Sequence, residues 1–343
     1  MLGRDKMDLP FDIKDVPNEI NKELMTLFTG QREGFLHVGP KNYLLSSEYK
    51  RQAAGFYHME LRPDDTWIVT FPRSGTTLTQ ELLWLLKNDF DYETARRVKI
   101  VERFPFIDLS TITCEEFKKE IIQKNKLDQK GEEAFRNRFT PGYETAQKMK
   151  SPRLLKSHLP MSLLPSRLLD TCKVVYVARN PKDVAVSLYY QNRLLKDIGF
   201  ERDFDEFWNL FERDLVLWAP FWSHVDEAWK QRDHPNMLFL FYEDMIKDME
   251  SVVYKTATFL NKTVSKEEVN KLLDHLRIES FRKNPSMMQA AYHLQGMVRE
   301  GEPGFIRQGK SGTWRSEFSP ELNTKADKWV KEHEELTDLR FQF

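Results

Sequence analysis

Thr66-Trp67-Ile68-Val69-Thr70-Phe71-Pro72-Arg73-Ser74-Gly75-Thr76-Thr77 is the stretch that decides the fold of this chain. A run of β-forming residues ends at Pro72, which predicts a short buried strand over 66–71. Leu78, Leu82, Leu85 and Leu86 then recur at i, i+4, i+7 and i+8, so a helix follows from about Thr76 to Lys87. Strand, turn and helix in immediate succession open an α/β sheet. Successive N–H groups of the turn point at one spot, where the helix dipole favours an anion. Gly75 permits close backbone approach. Ser74, Thr76 and Thr77 add hydroxyls, and Arg73 adds a rigid fork of donors. The segment reads as a P-loop-like phosphate cradle, with an ordinary capped turn as the alternative. The Walker pattern G-x-x-x-x-G-K-[ST] is missing, which disfavours a kinase or NTPase.

Further buried strands are expected at Arg153–Ser157, Lys173–Ala178 and Met237–Phe241. Continuous apolar runs separated by helical stretches predict a parallel sheet covered on both faces. After Ala178, Asn180 reads as an N-cap, with Pro181 at the first helical position and Asp183 in the first turn. The aromatics Phe204, Phe207, Trp208, Phe211, Trp218, Phe221, Trp222 and Trp229 read as core packing. Residues 1–60 read as a polar, loop-rich leader packed on a single α/β domain of residues 61–343. An insertion at about 110–150, dense in Lys, Glu and Gln, reads as a solvated helix plus loops, with a lid over a site as the alternative.

Three more segments carry chemistry-bearing residues. Arg179 falls at the carboxyl end of a predicted strand, where open α/β sheets bind ligands, and Ser187 follows on the face of Asn180 and Val184. The two read equally as a second phosphate site or as a surface Arg paired with Asp183. Phe305-Ile306-Arg307-Gln308-Gly309-Lys310-Ser311-Gly312 combines glycines and cations; unaided, it reads as a solvated basic loop. In Leu154-Leu155-Lys156-Ser157-His158, Lys156 and His158 are two apart and share one strand face. A cation beside an imidazole suits leaving-group stabilisation and general-base work.

Composition removes several classes. With 52 Lys+Arg against 53 Asp+Glu the formal charge is -1, so the chain is no globally basic nucleic-acid binder. The longest apolar runs are about five residues, far short of the about 20 a membrane span needs. The first ten residues contain acids and no apolar segment of a signal peptide, and Leu2 excludes the myristoylation pattern. Asn261-Lys262-Thr263 reads as a chance glycosylation triplet. Cys114 and Cys172 make neither a disulfide framework nor a zinc site and suit a reducing compartment, so the expectation is a cytoplasmic protein. The histidines show no metal-ligand spacing, and no metal is expected.

At these four segments, in this order, the chain closely resembles the soluble PAPS-dependent sulfotransferase family from about residue 60 to its end. The resemblance implies a single α/β domain around a five-stranded parallel sheet and transfer of a sulfuryl group from PAPS to a small hydrophobic alcohol or phenol. It implies that Arg73, Ser74, Gly75, Thr76 and Thr77 hold the 5′-phosphosulfate. By the same resemblance Arg179, Ser187, Arg307, Gln308 and Gly309 hold the 3′-phosphate, and Tyr242 sits by the adenine. His158 would be the base, with Lys156 and Arg73 assisting the leaving group. Phe106 matches an acceptor-pocket position; Phe104, Tyr189 and Tyr190 are further candidate walls. The chain departs from the family at Arg73, where a lysine is usual, at Leu78 and Ile278, where aromatics flank adenine, and at Gln308, where a cation is usual. The C-terminal dimer motif is altered at Arg315, Ser319, Pro320 and Thr324, which implies a monomer or a non-standard dimer. Arg73 and the insertion are similar to the insect branch, one member of which, retinol dehydratase, uses the same cofactor to drive loss of water from an alcohol. Elimination through a transient sulfate ester is therefore the alternative reaction, and a nucleotide- or lipid-binding protein without turnover is the alternative class.

Overall fold

The computed structural model describes residues 8–287 and 296–341. The start of the stretch read for a signal peptide, residues 1–7, lies outside them. The leader is not loop-rich. Strands β1 (Ile13–Asp15), β2 (Phe35–Val38) and β3 (Tyr43–Ser46) form an antiparallel sheet, with helices at Asn18–Leu27 and Tyr49–Tyr57. Tyr43, Leu44 and Leu45 are all buried. This short polar-looking segment therefore packs into the main core instead of wrapping it.

The main sheet is parallel, with β4 (Thr66–Val69), β5 (Leu154–Ser157), β6 (Lys173–Ala178) and β7 (Met237–Phe241) in the order β5-β4-β6-β7. Alternate residues face opposite layers. Trp67, Val69, Leu155, Val174 and Tyr176 join one apolar cluster, and Ile68, Leu154, Val175, Val177, Leu238 and Leu240 join the other. Burial on both sides explains the continuous apolar runs. Four strands are present among the described residues, not five. Beyond β5 there is only an isolated parallel bridge between Phe106 and Lys156. Pro105 cuts that segment short as a strand, because it has no N–H to add to the ladder.

The insertion also differs from expectation. It folds into helices Glu115–Lys124, Gln129–Asn137 and Gly142–Lys148. Cys114, Phe117, Ile121, Ile122, Phe135 and Phe139 pack with Met297 into a separate small cluster. Few apolar residues suffice because they fall on single helix stripes. Among the described residues no helix is long and apolar enough to cross a membrane.

The entry to β4 is tied to the entry of β5 by a fully buried ion pair. Arg153 Nε donates to Asp65 Oδ1 at 2.8 Å, and a second guanidinium nitrogen reaches Glu60 O at 2.9 Å. Removing one partner of such a pair strands a charge in the core. Asp65→Ala is expected to lower the unfolding free energy in urea by about 3–5 kcal/mol. A loss below about 1 kcal/mol would contradict a structural role for the pair.

Candidate active site

The strand-to-helix turn after β4 forms as the sequence suggests. Gly75 caps helix Thr76–Lys87 with φ 101°, and no side chain caps that end. The N–H groups of the first turn thus lack intrahelical acceptors and remain for a ligand. A side chain at 75 would put its Cβ 2.5 Å from the Tyr242 ring, so the close approach requires glycine. The Ser74 hydroxyl is buried with no hydrogen-bond partner among the described residues. Ser74 does not line the cavity described below, unlike Arg73, Gly75, Thr76 and Thr77.

The carboxyl ends of β4 and β6 bring the cations together. Arg179 donates to Arg73 O at 3.1 Å and to Lys310 O at 3.0 Å, and its guanidinium lies 4.4 Å from the Tyr242 ring centre. Its Nε is buried with no partner among the described residues. Arg73 Nε donates to Ser187 Oγ at 3.0 Å, and another of its nitrogens donates to Phe305 O at 2.7 Å. Arg307 lies 3.8 Å from the Tyr190 ring. The surface pairing of Arg179 with Asp183 is not the main contact: they are 3.8 Å apart. Asp183 instead accepts from the N–H groups of Gly312 at 2.6 Å and Trp314 at 3.1 Å. That carboxylate, in the first turn of helix Pro181–Leu194, pins the Gly-rich loop beside the phosphate turn. The 305–312 segment is therefore pinned to the site rather than a free solvated loop, although Gln308, Lys310 and Ser311 are exposed. Asn180 caps that helix through Lys182 N–H, as expected.

At the end of β5, His158 is buried, with Nδ1 2.8 Å from Thr70 O. A carbonyl only accepts, so Nδ1 carries the hydrogen and Nε2 holds a free lone pair. Phe106 and Trp218 meet the ring edge-on at 4.9 and 5.6 Å. Burial and the Lys156 charge hold the imidazole well below its ordinary pKa. The Lys156 ammonium lies 4.1 Å from the Phe106 ring centre. Burial lowers its pKa to about 8, against the pull of Asp108.

Asp108, Thr70 and His224 were not legible as site residues. Asp108 accepts from Ser157 Oγ at 2.8 Å and from His158 N–H at 3.1 Å. His224 is buried, and its Nε2–H donates to His158 O at 2.9 Å. Its Nδ1 accepts from the Tyr176 hydroxyl at 2.8 Å. Asp108 and His224 stand in no local motif, and Thr70, though it directly precedes the phosphate turn, is brought to His158 only by the tertiary fold.

All these elements open on one cavity of about 960 Å³. Arg73, Gly75, Thr76, Thr77, Lys156, His158, Arg179, Ser187, Tyr242, Arg307, Gln308 and Gly309 line it, and so do Leu78 and Ile278. Phe104, Phe106, Leu109, Ile112, Met149 and Trp218 supply apolar wall, and Asn137, Thr140, Gly142 and Thr145 of the insertion add to it. The insertion is thus part of the site wall and not merely solvated. Tyr189 and Tyr190 are not walls of this cavity: Tyr189 packs on Phe200, Phe204 and Phe207, and Tyr190 carries Arg307. Among the described residues no group of three or more His, Cys, Asp or Glu is placed to hold a metal.

The sulfotransferase domain model matches residues 63–339, which span every one of these elements. The chain belongs to the sulfotransferase family. Luciferin sulfotransferase of Photinus pyralis is 33% identical over 303 residues, 87% of this sulfotransferase and 79% of that one. Sulfotransferase 1 family member D1 of Rattus norvegicus is 37% identical over 285 residues, 82% and 88% of the two chains. A crystal structure of retinol dehydratase in complex with retinol and PAP superposes with a TM-score of 0.91 at 36% identity, covering 97% of this sulfotransferase and 99% of that chain. The single α/β domain and the sulfuryl-transfer class of enzyme follow from the family.

Proposed function

We propose that this sulfotransferase moves the sulfuryl group of PAPS to the hydroxyl of a small hydrophobic alcohol or phenol, with His158 as general base. One observation carries the reading: His158, whose Nδ1–H bond to Thr70 O leaves Nε2 a lone pair, lines one cavity with the cations of three distant segments. The residues present fit the donor. The Arg179 Nε, without a partner among the described residues, and the first turn of helix Thr76–Lys87, which no side chain caps, suit an anion. PAPS supplies a sulfuryl group on a phosphate leaving group, together with roughly four negative charges.

Arg73, Gly75, Thr76 and Thr77 bind the 5′ end, with Ser74 contributing through its backbone. Arg179, Ser187, Arg307, Gln308 and Gly309 bind the 3′-phosphate, and Tyr242, Leu78 and Ile278 flank the base. Phe106 and Trp218 exclude water beside His158 and hold the acceptor. His158 Nε2 takes the hydroxyl proton, while Lys156 and Arg73 stabilise negative charge at the phosphate end. The catalytic unit is residues 61–343, with 1–60 packed on it. No metal is needed. Both thiols, Cys114 and Cys172, are free and buried, which suits the cytoplasm. The altered C-terminal motif supports a monomer or a non-standard dimer.

A second reading, elimination of water through a transient sulfate ester, is favoured by the likeness to retinol dehydratase. Incubation with PAPS and a panel of phenols, sterols, retinoids and other alcohols, with products weighed by mass spectrometry, tests both. Gain of one SO₃ supports transfer, loss of one water supports elimination, and unchanged acceptors throughout would refute both.

The pH profile has a defined sign. His158 must be neutral, and its pKa lies well below the ordinary 6.5, so activity is retained on the acid side until well under that value. Lys156 must be charged, so activity falls as pH rises through about 8. The expected kcat/KM profile is a bell shifted toward acid. An acid limb at 6.5 or above would contradict the assignment.

A further inference from the structure

We propose that Tyr190 is a positioning residue of the 3′-phosphate site: its ring, oriented by Glu317, holds the Arg307 guanidinium in the cavity wall. The inference rests on the reading above in which Arg307 binds the 3′-phosphate. Arg307 has little else to hold it. No backbone hydrogen bond ties it to the fold among the described residues. One terminal nitrogen donates to Val186 O at 3.4 Å, the long end of a hydrogen bond. The other stands 3.9 Å from Glu317 Oε1, beyond hydrogen-bond reach. The close contact is with Tyr190, whose ring centre lies 3.8 Å from the guanidinium carbon. A cation over a ring face is attracted by the ring quadrupole, more strongly when it is withdrawn from water. The Arg307 side chain is only 13% exposed.

The ring itself is fixed. Tyr190 belongs to helix Pro181–Leu194, about one turn beyond Ser187. Its hydroxyl donates to Glu317 Oε1 at 2.8 Å. The Tyr189 ring meets it edge-on, with centres 5.0 Å apart, and Tyr189 is itself buried against Phe200, Phe204 and Phe207. The helix that brings Ser187 to the cavity thus also carries the platform for Arg307. Without that platform Arg307 has space to leave. Ile306, Arg307 and Gln308 line the main cavity and also a second cleft of about 370 Å³, whose other walls include Tyr190 and Glu317. Tyr190 and Glu317 do not line the main cavity, so they act on a ligand there through Arg307. Loss of the ring returns to Arg307 the rotamers directed into the cleft, and ordering the side chain again on binding costs affinity.

The test is calorimetric titration of the full chain with adenosine 3′,5′-bisphosphate and with 5′-AMP. Tyr190→Leu fills the space without a ring face. It is expected to weaken bisphosphate binding about tenfold and to leave 5′-AMP binding unchanged. Tyr190→Phe keeps the face and stays within about threefold of wild type. In an Arg307→Ala background, itself weakened toward the bisphosphate, Tyr190→Leu adds nothing, because the ring acts through the guanidinium. If the leucine variant does not fold, Tyr190→Met, equally without a ring, takes its place with the same expectation. A role in fold stability alone would weaken both nucleotides alike and would add to the effect of Arg307→Ala. Either of those results overturns the inference. So does a phenylalanine variant as weak as the leucine one, or a leucine variant that binds the bisphosphate like wild type while Arg307→Ala does not. Arg307→Ala with wild-type affinity for the bisphosphate strikes the 3′-phosphate assignment itself, and the inference with it.

Discussion

His158→Ala is expected to lower kcat for sulfuryl transfer by about 1,000-fold while leaving nucleotide binding intact. The imidazole lines the cavity, and its Nδ1–H bond to Thr70 O fixes the tautomer that leaves Nε2 a lone pair. A positioned general base contributes about 10²–10⁴ in rate, about 3–5 kcal/mol in the barrier. The backbone at 158 is held separately, by Asp108 at its N–H and by His224 at its carbonyl. Loss of the ring therefore leaves the strand end in place, and the segments proposed to bind the phosphates are untouched. Single-turnover kinetics with PAPS, together with calorimetric titration of adenosine 3′,5′-bisphosphate, separates the two quantities. Turnover within about tenfold of wild type would remove His158 from the mechanism.

Arg179→Ala is expected to weaken nucleotide binding by about 100-fold, or about 3 kcal/mol. Two of its donors already hold Arg73 O and Lys310 O, so the guanidinium joins the phosphate turn to the Gly-rich loop. The third nitrogen, Nε, is buried with no partner among the described residues. Lysine cannot reproduce this fork, so Arg179→Lys recovers only part of the loss. On the proposed reading Arg179 holds the 3′-phosphate, so binding of 5′-AMP is expected to fall much less than that of the bisphosphate. An equal loss for both would show that Arg179 only supports the fold.

The sheet was legible because its strands are buried on both faces and read as unbroken apolar runs. Lys173–Ala178 has the predicted bounds, and Thr76–Lys87 follows the spacing of Leu78, Leu82, Leu85 and Leu86. The leader was not legible. Its strands are three or four residues long, and they stabilise one another across a hairpin whose pattern is too short to show periodicity. The helices at 115–148 were half legible: a sparse stripe such as Phe117, Ile121 and Ile122 looks solvated until Met297 arrives from a distant segment to bury it. In the site, residues inside contiguous motifs were found, and those acting through tertiary contacts were not. Asp108 follows Phe106 by two positions but carries no local signal, and His224 looks like a core histidine, which by burial it is. Ser74 shows the converse: a hydroxyl within a phosphate motif turned into the interior.

The most direct test of the central claim, that cations from three chain segments build two phosphate sites at one sheet edge, is a calorimetric titration of the full chain. The ligands are adenosine 3′,5′-bisphosphate, 3′-AMP, 5′-AMP and ATP. The account predicts one bisphosphate bound per chain, with at least about tenfold weaker binding when either phosphate is missing and no preference for ATP over 5′-AMP. Equal affinity for the mono- and bisphosphates, or tighter binding of ATP, would contradict it.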